Sequence, residues 1–136
     1  MAGKEVFVSY DHSEDADYKR LLQAWDANTS FDFEFDSRGP NVPIDSIDAS
    51  VIQGALTRKM KEADYLLVIV GGKTYTSKWV RWEISRAKES DVKLKIAAVK
   101  IESYYQLPEG LSGASVSSAF TLTNIVQALN NANNYY

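Results

Sequence analysis

The sequence predicts an α/β protein in which a five-stranded parallel sheet, of strand order 2-1-3-4-5, is flanked by helices in three layers. Three observations indicate this class. Strand-like and helix-like segments alternate along the chain, the apolar run at residues 65–70 has no polar alternation, and two glycines end that run. A strand covered on both faces has such a continuous pattern, and alternating strands and helices build parallel sheets through right-handed crossovers. The chain is expected to form a single domain over residues 1–136.

The first half of the chain contains two predicted strands and two predicted helices. Residues 4–10 are rich in β-branched and aromatic side chains, which indicates a strand, and the capping and acidic residues that follow predict a helix at residues 13–27. The strict alternation at residues 31–36 is typical of an edge strand. After a loop with two prolines, Asp45 or Ser46 can cap a second helix with apolar residues along one face.

The second half continues the alternation and ends in an Asn-rich tail that is expected to fray. Its predicted elements are a buried strand at residues 64–70, a helix at 77–90, a second buried strand at 94–101, a loop at 102–116, a short strand at 118–122 and a last helix at 123–131.

Composition and charge exclude several classes of protein. Fifteen basic and eighteen acidic residues give a net charge of -3 without a basic run, so nucleic acid is not an expected partner. The absence of cysteine and the single His12 exclude thiolate chemistry and a His-rich metal site. The longest apolar run is far shorter than the ~20 residues that cross a bilayer, and no signal peptide is recognisable. We expect a cytoplasmic protein without a metal or a membrane partner.

The most informative segment is TSKWVRWE, residues 76–83. It places Glu83 in a helix that starts just after a buried strand, with Trp79 one turn earlier. At about 100° per residue, Glu83 lies about 60° from the centre of the predicted buried face, which indicates a boundary position rather than the core. Trp82 lies about 160° from that face and is expected to cover surface or form a contact. Glu83 could also be an ordinary helix residue that pairs with Arg86 or a loop lysine.

The predicted strand order brings the loops after the first and third strands together at a crevice, where ligands bind in open α/β sheets. Glycines in such a loop allow a ligand to approach the backbone, although they could equally form a plain turn. The second strand ends at the same edge, and the loop at residues 37–43 is a candidate lid. The candidate binding residues are Ser9, Tyr10, Asp11, His12, Asp36, Ser37, Gly71, Gly72, Thr74 and Trp79, with Glu83 as the candidate catalytic residue.

A lone carboxylate beside an indole is suited to cleavage of a glycosidic bond. The carboxylate can stabilise an oxocarbenium-like transition state or attack the anomeric carbon. The indole can stack on a planar base, and backbone N–H groups at the helix start can bind a phosphate.

These residues resemble those of TIR domains, and most closely those of the short stand-alone bacterial TIR-like proteins, including the signalling TIR of the Thoeris anti-phage system. The resemblance covers about the whole chain. Its most specific parts are VFVSY at residues 6–10, the pair Asp36-Ser37, and a pattern from Gly71 through Thr74 and Trp79 to Glu83-Ile84. It implies a flavodoxin-like fold and cleavage of NAD+ as a substrate, with Glu83 in the position of the catalytic glutamate and no permanently bound cofactor.

The resemblance also implies a product derived from ADP-ribose, linear or cyclic, that acts as a signal in anti-phage defence. Because no effector domain is attached, a separate effector protein would sense this signal, and TIR surfaces would mediate self-association. Two alternatives remain open. The chain could be a non-catalytic TIR scaffold, or an enzyme like the nucleoside deoxyribosyltransferases, which also use a carboxylate on a flavodoxin-like sheet. A phospho-receiver is set aside because the third strand ends in Val70-Gly71-Gly72 and not in an aspartate.

Overall fold

We describe a computed structural model of the chain at residues 4–11, 20–22, 24–25, 33–36 and 49–136. Within these residues, no helix is long and apolar enough to cross a bilayer.

The described strands form one parallel sheet in the order β2-β1-β3-β4-β5. Their bounds are β1 Lys4–Ser9, β2 Phe33–Asp36, β3 Tyr65–Val70, β4 Lys95–Lys100 and β5 Ser115–Ser117. β1 lies between β2 and β3, with Phe7 beside Asp36 and Ser9 beside Val68. The sheet therefore changes direction at β1, and the carboxyl ends of β1 and β3 are neighbours.

Three helices and one 3-10 turn are described in full. They are α1 Ala49–Glu62, the 3-10 turn Thr74–Thr76, α2 Lys78–Ala87 and α3 Leu122–Asn130. Residues 20–22 and 24–25 are also helical, within the predicted first helix. The remaining residues of that helix and the predicted caps Asp45 and Ser46 lie outside the described residues.

The core has one apolar layer on each face of the sheet, because side chains of successive strand residues point to opposite faces. On one face, Phe7 and Val68 pack with residues of α1 and α2. On the other, Val6 and Val8 pack with α3 and with Leu22 of the first helical segment. The predicted α/β class, a parallel sheet flanked by helices, is confirmed.

The last strand is not where the sequence analysis placed it. Residues 118–122 were expected to form it, but β5 is Ser115–Ser117, which begins within the last two residues of the predicted loop. The Ser117 hydroxyl exchanges hydrogen bonds with the backbone of Ala119, which turns the chain, and the Thr121 hydroxyl caps α3 by accepting from Asn124 N–H. Local hydrogen bonds from hydroxyl side chains therefore outweigh the strand propensity of the apolar residues there.

The expected fraying of the tail is also wrong. Ile96 N–H donates to the Asn133 carbonyl at 3.1 Å, in an antiparallel bridge to β4. The Tyr136 hydroxyl lies 2.6 Å from the Leu94 carbonyl and 3.1 Å from the Ala87 carbonyl, to which it donates. Ala87 ends α2, and its carbonyl, which has no partner within its own helix, accepts from Leu94 N–H at 2.9 Å as well as from the tail.

Candidate active site

Glu83 lies on the sheet-facing side of α2 and contacts the last residue of β1. The Ser9 hydroxyl donates to Glu83 Oε1 at 2.8 Å, and the two residues are 0% and 2% exposed. Strand alternation explains the meeting: Ser9 follows Phe7 onto the face that α1 and α2 cover. The contact joins residues 74 positions apart in the sequence, so only the fold brings them together.

The predicted boundary position of Glu83 is wrong, because the carboxyl group is buried. The helical angles were measured from Val80 and took no account of β1, whose Ser9 side chain occupies the space beside Glu83. Pairing of Glu83 with Arg86 does not occur either. Arg86 donates to both carboxylate oxygens of Asp91, at 2.7 and 2.8 Å, and to Glu89 at 2.8 Å.

Burial has a large effect on the ionisation of Glu83. Removal from water raises its pKa to about 8, and the hydrogen bond from Ser9 opposes part of that shift. At neutral pH the carboxyl group is therefore mainly protonated. Such strong perturbation of a carboxyl group at the carboxyl end of a central strand is typical of functional sites.

The loop after β3 is fixed by Thr74. Gly71 N–H donates to the Thr74 hydroxyl at 2.7 Å, and that hydroxyl is 3.4 Å from the Ile69 carbonyl. Thr74 is fully buried, whereas Gly72 is half-buried. The chain then makes one 3-10 turn, and the Ser77 hydroxyl accepts from Val80 N–H at 3.2 Å as the cap of α2. The glycine loop is therefore joined to the helix that carries Glu83 by a short, internally bonded segment.

The two tryptophans of α2 pack against each other. The rings of Trp79 and Trp82 meet edge-on with their centroids 5.8 Å apart, and both are partly buried against the core layer of α2. The prediction separated them by helical angle, but residues three apart on a helix are neighbours. Trp82 therefore forms a contact, one of the two outcomes expected for it, and its partner is Trp79.

The other candidate residues are distributed around the end of β1 and β2. The Tyr10 ring is buried in the core layer of α3, on the opposite face of the sheet from Glu83, and Asp11 is half-buried. Asp36 ends β2, and its side chain lies outside the described part of the structure. His12 and Ser37 lie outside the described residues altogether. In the described part of the chain, no three His, Asp or Glu side chains group closely enough to hold a metal ion.

The pairing of Ser9 with Glu83 is the feature that residue-by-residue prediction missed. Both residues were candidates, but Ser9 was expected to bind the substrate and Glu83 to act in catalysis, without contact between them. The alternation of β1 contained the signal, since it places Ser9 on the same face as Phe7. Combining that alternation with the predicted strand order would have directed Ser9 towards the helix after β3.

Taken together, the parallel sheet that reverses at β1 and the buried carboxyl group at the end of that strand define a doubly wound α/β domain with a site at its switch point. The chain belongs to the family described as Thoeris protein ThsB, TIR-like domain, whose model matches residues 7–105. It is thus a TIR-domain protein of the anti-phage defence type. The match includes every candidate site residue, whereas β5, α3 and the tail follow it. No curated protein matches the chain.

Proposed function

We propose that the chain is an enzyme that cleaves NAD+ between nicotinamide and ribose, with Glu83 as its catalytic carboxylate. The observation that carries the proposal is the buried Glu83 held by Ser9 at the carboxyl end of β1. Membership of the TIR-like family supports the choice of substrate class. Trp79 would contribute a flat apolar surface for a base, and Gly71 and Gly72 would allow the substrate to approach the backbone.

Cleavage of the bond between ribose and nicotinamide requires a negative charge beside ribose C1′. When the bond between ribose C1′ and the nicotinamide nitrogen breaks, the electron pair leaves with neutral nicotinamide, and an oxocarbenium-like cation remains. An ionised Glu83 beside C1′ would stabilise this cation strongly, because the site is removed from water. Water, or a nucleophile of the same ADP-ribosyl group, then bonds to C1′ and loses a proton, which gives ADP-ribose or a cyclic product.

The raised pKa of Glu83 fits this role when the charge of the substrate is considered. In the free protein the carboxyl group is mainly protonated below pH 8. The nicotinamide ring of NAD+ carries a positive charge, and an adjacent positive charge favours the ionised form of a carboxyl group. Bound substrate would therefore lower the pKa of Glu83 and produce the anion where it is needed.

The biological role follows from the same proposal. The product, which we expect to be cyclic, would act as a nucleotide signal in anti-phage defence and would be sensed by a separate effector protein. We expect the protein to work in the cytoplasm and to self-associate through its TIR surfaces.

The direct test is product analysis by mass spectrometry after incubation with NAD+, at high protein concentration and with a crowding agent. Wild type should release nicotinamide, and Glu83→Gln should lose at least 100-fold of that rate because the amide cannot carry the charge. Glu62→Gln is a matched control, since its side chain is 73% exposed on α1, and it should behave as wild type. The kcat/KM of wild type should rise with pH towards about 8, as Glu83 of the free protein ionises.

Each alternative function has its own outcome in this experiment. Equal nicotinamide release by wild type and Glu83→Gln would refute the catalytic assignment. A folded wild type that associates but releases no nicotinamide would favour the scaffold. Base exchange with a deoxynucleoside plus a free base, without NAD+ cleavage, would identify a deoxyribosyltransferase-like enzyme.

A further inference from the structure

The two oxygens of the Glu83 carboxyl group have different surroundings. Oε1 accepts the Ser9 hydroxyl proton at 2.8 Å, whereas Oε2 has no hydrogen-bond partner among the described residues. Buried polar atoms are nearly always hydrogen-bonded, so the lack of a partner for Oε2 among the described residues needs an explanation on a side chain that is 2% exposed. One explanation is that a group of a ligand occupies the position beside Oε2 during function.

Ser9 is well placed to hold a side chain still. It is the last residue of a strand that pairs on both sides, with β2 and with β3, and its own backbone lies beside Val68. It is fully buried, and the position of its side-chain oxygen is set by a single torsion, χ1. The hydroxyl therefore approaches Glu83 from a backbone position that is held by pairing with β3.

We propose that Ser9 is a positioning residue for Glu83: it anchors Oε1 to β1 and leaves Oε2 directed to the substrate, so that its hydroxyl acts on the carboxyl group and not on the substrate. The catalytic consequence rests on the proposed NAD+ cleavage, but the anchoring itself does not. This differs from the role in substrate binding that the sequence analysis expected for Ser9.

The anchor has an electrostatic consequence as well. The neighbouring segments of the chain carry charged side chains: Asp11 follows β1, Arg58 is on α1, Lys73 follows β3, and Arg86 on α2 donates to Glu89 and Asp91. In the described structure, however, burial and the Ser9 hydrogen bond account for the pKa shift of Glu83. Because Ser9 donates to the carboxylate, its removal should make ionisation of Glu83 still harder.

The first experiment measures Glu83 itself and needs no enzymatic activity. The side-chain carboxyl carbons of glutamates are labelled with carbon-13, the Glu83 signal is assigned with Glu83→Gln, and its pKa is determined by NMR titration. We expect a pKa near 8 in wild type and an increase of about one unit in Ser9→Ala. Ser9→Thr retains the hydroxyl and should restore most of the wild-type value.

Ser77→Ala is the control for a general disturbance of α2. It removes the hydroxyl that caps the same helix but does not touch Glu83, so it should lower the unfolding midpoint without moving the pKa of Glu83. An unchanged Glu83 pKa in Ser9→Ala, or a wild-type pKa near 4.5, would overturn the proposal.

The second experiment separates positioning from substrate binding by steady-state kinetics with NAD+. If Ser9 is a positioning residue, Ser9→Ala should lower kcat about 30-fold and change KM less than 3-fold. The acid limb of the pH–rate profile of this variant should move to higher pH. A raised KM at unchanged kcat would show that Ser9 binds the substrate, and would refute the proposal. If wild type does not cleave NAD+ at all, the NMR result still decides whether Ser9 anchors Glu83, so the two proposals can fail separately.

Discussion

Two carboxyl groups, one in the middle of α2 and one just after its carboxyl end, differ in almost every physical respect. Glu83 is buried, its hydrogen-bond partner in the described structure is a neutral hydroxyl, and its pKa is raised to about 8. Asp91, after the end of α2, is exposed and contacts Arg86 at 2.7 Å and Lys61 at 3.3 Å, and the hydrogen bond from Arg86 above all lowers its pKa. The same functional group is thus hard to ionise at Glu83, where burial dominates, and easy to ionise at Asp91, where cations dominate.

The difference separates a region of α2 that stabilises the fold from a residue that is suited to function. The carboxyl end of α2 is tied to its surroundings by charge and hydrogen bonds: Arg86 also donates to Thr57 of α1, Lys88 donates to the Gly110 carbonyl, and Tyr136 binds the Ala87 carbonyl. Glu83, in the middle of α2, is by contrast a group that destabilises the fold when it ionises. Functional sites often carry such a cost, and the rest of the molecule compensates for it.

The largest expected effect is on stability at alkaline pH, from Glu83→Gln. Between pH 4.5 and about 8, folded Glu83 keeps a proton that the unfolded chain releases, so stability falls as pH rises through this range. Gln resembles the protonated side chain and has no such cost. We expect Glu83→Gln to match wild type at pH 5 and to be more stable at pH 9 by on the order of 4 kcal/mol, measured by urea unfolding.

The control for this measurement is Glu62→Gln, whose exposed side chain should give the same small difference at both pH values. A Glu83→Gln protein that is no more stable than wild type at pH 9 would mean that Glu83 ionises freely. The contrast between the two carboxyl groups would then disappear.

An intermediate effect is expected from Tyr136→Phe, which tests the attachment of the tail. The variant removes the hydroxyl that donates to the carbonyls of Leu94 and Ala87 and keeps the ring. The free energy of unfolding should fall by about 1 kcal/mol, the usual contribution of one hydrogen bond. Tyr135→Phe is the matched control because Tyr135 is 92% exposed, and an equal loss in both variants would contradict the specific role of Tyr136.

The smallest effect is expected from Asp91→Asn, because an exposed ion pair contributes little to stability. The pKa of Asp91 is lowered in the folded state, so its contribution is present above the unfolded pKa, near 4, and is lost as pH falls through the folded pKa. The unfolding midpoint of Asp91→Asn should therefore be slightly below that of wild type at pH 7, and the gap should narrow at pH 3 and in 1 M salt. A gap that is independent of salt would argue against an electrostatic origin.

Much of the fold could be predicted because local patterns encode it. The apolar run at residues 65–70 is β3, and the predicted last helix differs from α3 by one residue at each end. The helix that carries Glu83 begins one residue after its predicted start at residue 77, with Ser77 as its cap. The errors lie at β5 and in the tail, where short-range hydroxyl bonds and a bridge to β4 determine the structure and apolar periodicity is weak.

The sequence by itself determined most of the helices and strands and which carboxyl group lies on the helix after β3, because helix and strand patterns depend on neighbouring residues. Only the tertiary structure decided that Glu83 is buried and that Ser9 is its partner, since their contact spans 74 positions and requires β1, β3 and α2 to be packed together. Desolvation depends on everything that surrounds a group, and it cannot be read from the residues beside it in the chain.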